Sequence, residues 1–149
     1  MIAQSRDNLQ AARDDYIQAL QQNPGQPLAA YIRTSLANVA YFQDDYATAI
    51  SQWQAAFDQL NNADLKAWAL YRIGVSQQRL ARFAEADATF AQVEHKFPGT
   101  IAAQRSKEHS GARAFYVQLA TFANAGLVDR AITQLARQGV RAARTVNSR

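Results

Sequence analysis

Chemistry in a chain needs donors, acceptors or nucleophiles at workable spacings, and few candidates occur here. The two histidines, His95 and His109, lie fourteen residues apart with no carboxylate at ligand spacing. A metal needs three or four convergent ligands, so both read as surface histidines. Asp14-Asp15 and Asp44-Asp45 are the paired carboxylates. Neighbours on a helix point in different directions, and aspartates at a turn cap helices, so neither pair reads as an acid–base couple. No glycine-rich phosphate loop, nucleophile elbow or HExxH motif occurs. There is no cysteine, which excludes disulfides, thiol catalysis and Cys-ligated metals. The expectation is a chain that is not an enzyme and takes no cofactor and no metal.

The residues that remain must be positioned by something, and composition says what. Of 149 residues, 31 are Ala and 17 are Gln, against 6 Gly and 3 Pro. Ala loses no side-chain entropy in a helix and Gln loses little, so helix is favoured over strand. At 48% hydrophobic and 19% charged, the chain can bury a core. No apolar run approaches a membrane span of about 18 residues, and the N-terminus lacks the pattern of a secretory signal. Charge is uneven. Residues 1–100 hold eight Lys/Arg and ten Asp/Glu, a balance of −2. Residues 101–149 hold eight Lys/Arg against Glu108 and Asp129, a balance of +6. That asymmetry suggests a boundary between two parts.

The first part repeats. From Ala86, the residues four, seven and twelve positions on are Phe90, Val93 and Pro98. From Ala12 they are Tyr16, Ala19 and Pro24; from Ala49 they are Trp53, Ala56 and Asn61. These starting points are 37 residues apart, and upstream Leu36-Ala37 matches Ile73-Gly74 in the same register. Each unit reads as two helices: 28–42 with 46–60, and 65–80 with 83–97. Apolar residues fall at three- and four-residue spacing, with capping turns at 43–45 and 61–64 and a stop at Phe97-Pro98-Gly99. Small residues mark close approach (Ala37, Gly74, Ala49, Ala86), and Trp53 and Phe90 are the large knobs. Residues 4–22 make a lone second helix, so the chain begins inside a repeat and reads as a fragment or a late start.

Leu70, Ile73-Gly74, Ala86, Phe90 and Pro98 together resemble the tetratricopeptide repeat family. The resemblance implies a mainly α fold, a TPR-like α-α superhelix of about two and a half repeats over 1–100. In that family one face of the first helices lines a groove that binds extended peptides or partner helices. Here the matching residues are Tyr31, Thr34, Asn38 and Tyr41, then Trp68, Tyr71, Arg72, Val75, Gln78 and Arg79. The implied partner is a protein or peptide. Thr34 stands where a carboxylate-clamping groove would want Lys, so capture of a C-terminal carboxylate is not expected.

Residues 101–113 read as a cap helix and linker. Beyond them, 115–122 is a β-branched and aromatic run of strand length, 125–138 is a helix, and Val140 to Val146 reads as a second strand. Together they form a βαβ segment over 114–149. Tyr116-Val-Gln-Leu-Ala-Thr-Phe122, Asn124, Asp129-Arg130, Leu135 and Gly139-Val140 resemble the first half of a SPOR domain, a peptidoglycan-binding module. That resemblance implies a cell-envelope or periplasmic location and tentative glycan contacts from Tyr116 and Gln118. The alternative is a purely helical cytoplasmic adaptor with a third, diverged repeat at 114–139. The arginines of the tail lack aromatic interleaving and a single stripe, so nucleic acid is not an expected partner.

Overall fold

The computed structural model describes residues 2–113 and 124–144, with side chains from residue 7 onward. The chain divides into two compact units, residues 1–114 and 115–149. The first holds six helices: α1 (Ile2–Gln21), α2 (Leu28–Phe42), α3 (Tyr46–Phe57), α4 (Ala63–Arg79), α5 (Phe83–Lys96) and α6 (Ile101–His109). Each packs on the next, and α4 also packs on α6. This is the arrangement of stacked helical pairs, α2 with α3 and α4 with α5, and α6 stands as the first helix of a further pair.

The 37-residue register is visible in the packing. Trp53 and Phe90, 37 apart, are both fully buried. Alanine supplies much of the rest of the core, at Ala30, Ala37, Ala49, Ala67, Ala86 and others, because small side chains let helix axes approach. The approach is tight at Gly74, where a Cβ would lie 2.5 Å from Phe90 Cε1.

The turns inside the two pairs are the same turn. Asp44 and Ala81 both take left-handed backbone, at φ 60° and 59°. After each, the next N–H reaches back to a carbonyl of the preceding helix: Asp45 N to Ala40 O and Arg82 N to Gln77 O, both at 2.9 Å. These are Schellman closures, which satisfy the orphan carbonyls of a helix end. Asp45 then caps α3, its carboxylate accepting from Thr48 N. Asn62 caps α4 by accepting from Leu65 N, so α4 starts slightly before the expected 65.

The second unit corrects the mixed fold expected from sequence. Among the described residues the chain is helical throughout, with no strand. The strand expected at 115–122, with Tyr116 and Gln118, lies outside the described residues. The one expected from Val140 fails where it is described, since 140–144 carry no strand. Here α7 (Ala125–Arg137) ends at Gly139, φ 79°, and Val140 N–H bonds back to Leu135 O at 2.9 Å. Val140 therefore belongs to a helix closure, and the Arg-Ala-Ala-Arg that follows is poor in strand-forming side chains. No βαβ segment is present among the described residues, and the fold implied by the SPOR resemblance is not found there.

Candidate functional site

The residues singled out on the first helices of each pair divide into two sets. Tyr71, Val75 and Gln78 are buried, with Gln78 only 1% exposed. They serve the packing of α4 against α5 and α6. Gln78 Nε2 donates to the His109 carbonyl at 2.7 Å, and Gln78 Oε1 lies 3.2 Å from His109 Nδ1. With the amide nitrogen assigned to the carbonyl, Oε1 faces the ring nitrogen Nδ1. His109 Nε2 lies 3.2 Å from the Tyr71 hydroxyl, the donor of that pair being set by the tautomer. Burial pushes the Tyr71 phenol above its ordinary 10.0, while the Arg105 guanidinium beside it pulls the other way. His109 is therefore half-buried in a polar latch between helices, unlike the surface histidine expected. His95 is exposed.

The second set reaches solvent. Tyr31 is 38% exposed. Thr34, Asn38, Tyr41, Trp68 and Arg72 are half-buried, and Arg79 is exposed. Thr34 spends its hydroxyl on the Ala30 carbonyl of its own helix, at 2.9 Å. Tyr41 is fixed by rings on several sides, with Tyr46 at 5.5 Å and Trp53 at 6.0 Å between centroids. Over its remaining surface lies Arg72 of α4, with Cζ 5.5 Å from the ring centroid. Trp68 meets Tyr71 edge-on at 5.5 Å and is covered by Arg105 of α6, Cζ at 5.9 Å.

Two guanidiniums thus sit over two aromatic rings, each pair joining one first helix to the next. Stacking of this kind holds a guanidinium in place; Arg105 gives one donor to the Tyr71 hydroxyl and keeps the others of its five N–H groups. Arg105 is not among the groove residues expected from sequence, and His109 is expected there only as a surface histidine. The signal for Arg105 was present, because positions 31, 68 and 105 are 37 apart and carry Tyr, Trp and Arg. Below Trp68 a cavity of about 170 Å³ is lined by Asp64, Ala67, Trp68, Thr100, Ile101 and Ala102. Its volume suits one side chain rather than a cofactor. Among the described residues no group of three His, Asp or Glu is placed to hold a metal ion.

A family model described as a tetratricopeptide repeat matches residues 68–100. The chain carries a tetratricopeptide repeat there. The match begins at Trp68, within α4, and runs through α5 to Thr100. No SPOR match accompanies it. A comparison with curated proteins found no match. Tetratricopeptide repeats are typically non-catalytic interaction modules, and a repeat of this kind suggests a protein–protein interaction scaffold. No helix among the described residues is long and apolar enough to cross a membrane.

Proposed function

We propose that this chain is a non-catalytic adaptor that holds a segment of a partner protein against the exposed face of α2, α4 and α6. The observation that carries the reading is the placement of Tyr31 and Trp68. They occupy equivalent repeat positions, 37 residues apart, and both keep ring surface open to solvent. A large ring with a polar edge binds well at an interface, since it loses little conformational entropy and offers a broad contact area. The buried residues Tyr71, Val75 and Gln78 support that face from below, and Tyr31, Asn38, Tyr41, Trp68, Arg72 and Arg79 present it. Tyr116 and Gln118 have no part in this reading.

The test is a peptide array of varied composition, probed with the wild-type chain and with Tyr31→Ala/Trp68→Ala. The expected outcome is a selected set of peptides that the double variant loses, with a melting temperature that falls little because both rings are partly exposed. Retention of the same peptides by the double variant would contradict the proposal.

A further inference from the structure

Charge is sorted by helix type in the first unit. The first helices α2, α4 and α6 carry Arg33, Lys66, Arg72, Arg79, Arg105 and Lys107 against Asp64 and Glu108, six against two. The second helices α1, α3 and α5 carry three Lys/Arg against six Asp/Glu. Stacking the pairs therefore gathers positive charge onto one layer of helices and negative charge onto the other. Two of the first-helix cations turn inward to α3 and its end: Arg33 Nη1 donates to Gln52 Oε1, and Lys66 Nζ to the Asp58 carbonyl. Arg72 lies over Tyr41, and Arg105 lies over Trp68 with a hydrogen bond to the Tyr71 hydroxyl. Among the described residues the ion pairs are Arg13–Asp45, Arg82–Glu85 and Arg113–Asp87, so neither Arg72 nor Arg105 is matched by a carboxylate.

The geometry points to an acidic peptide segment of another protein as the occupant of this face, with one carboxylate read by Arg72 over Tyr41 and another by Arg105 over Trp68. This deepens the adaptor reading and rests on it. Each guanidinium is already held by its ring, at 5.5 and 5.9 Å. Less side-chain freedom is then lost when a carboxylate arrives, and a planar fork can accept it with two parallel hydrogen bonds. The ring edges beside each cation favour apolar or aromatic residues between the acids. Asp64, on the wall of the cavity under Trp68, repels a further acid there, so the segment carries a neutral side chain at that point. Two spaced acids within an apolar stretch are the recognised feature.

The experiment uses the full chain and a fluorescent peptide that alternates Glu with Leu and Phe, beside the same peptide with Gln for every Glu. Binding is followed by anisotropy at two salt concentrations. The Glu peptide is expected to bind at least about tenfold more tightly than the Gln peptide, and to weaken as salt rises. Arg72→Gln and Arg105→Gln should each weaken the Glu peptide by about tenfold and flatten its salt dependence. Arg82→Gln, an exposed cation on the turn before α5, should leave it unchanged. Equal binding of the two peptides, dependent on Trp68, would overturn the acidic reading while leaving the adaptor face intact. No binding of either, or binding insensitive to Tyr31→Ala/Trp68→Ala, would overturn both. A single-stranded oligonucleotide that competes as strongly as the Glu peptide would assign the face to nucleic acid instead. Concentration-dependent self-association abolished by Arg72→Gln would assign it to the acidic layer of a second copy.

Discussion

Gly74 shows how little slack the helical pairs have. A Cβ at this position would stand 2.5 Å from Phe90 Cε1, on a ring with no exposure to solvent. Helix propensity alone favours Gly74→Ala by about 1 kcal/mol, but displacing a ring inside a packed core costs about 1–3 kcal/mol. Chemical denaturation of Gly74→Ala should therefore show a net loss of stability, and a net gain would mean that α4 and α5 are farther apart than described. The equivalent positions in the other pair are Ala37 and Trp53, both fully buried, so the small-and-large combination recurs. That pairing was legible in the sequence, because Ala37, Gly74, Trp53 and Phe90 all keep the 37-residue step. Gln78 was not legible in the same way. A polar residue on the open side of a first helix looks the same whether it meets a ligand or the next helix. Only the position of α6 shows that its amide closes on His109.

At the scale of elements, the turns and caps carry a titratable contact. Asp45 caps α3 and also pairs with Arg13 of α1, Nη2 to Oδ2 at 3.1 Å, while Arg13 Nη1 donates to Gln43 Oε1 at 3.0 Å. Burial pushes the Asp45 carboxyl up, but the bonds from Thr48 and the Arg13 guanidinium outweigh it and hold it below the ordinary 3.8. A carboxyl whose pKa is lower folded than unfolded stabilises the fold above the unfolded value. That contribution is lost as pH falls through the folded value. Asp45→Asn keeps a capping oxygen and removes the charge. Wild type should be the more stable of the two at neutral pH, and the difference should shrink as pH drops below about 3.8. A difference that is constant with pH would show that the ionised carboxylate contributes nothing. Sequence pointed to caps at 43–45 and 61–64 because Asp and Asn accept readily from helix N–H groups. The Arg13 contact was out of reach, since it joins residues 32 positions apart.

For the whole molecule, the sequence supported helical pairs and misjudged the end of the chain. The pairs were legible because a 3.6-residue apolar period recurred at a fixed 37-residue step, and the two signals reinforced each other. Past residue 113 that step stops, leaving short runs that fit strand or helix equally well. Val140 shows the consequence. One β-branched residue after a glycine looked like the start of a strand, whereas its N–H completes the closure of α7. The helix expected at 125–138 is present as Ala125–Arg137, where the period was strong. Charge asymmetry was read along the chain, as an acidic part followed by a basic one. Within the first unit charge is also sorted across the stack, first helices against second, and linear counting does not show that. The account's central claim is that the first-helix layer is where a partner protein binds. Backbone amide chemical shifts of the labelled chain, titrated with the alternating Glu peptide, test it most directly. The account predicts shifts confined to α2, α4 and α6, centred on Tyr31, Trp68, Arg72 and Arg105. Shifts centred on α5, or spread evenly over both layers, would contradict it.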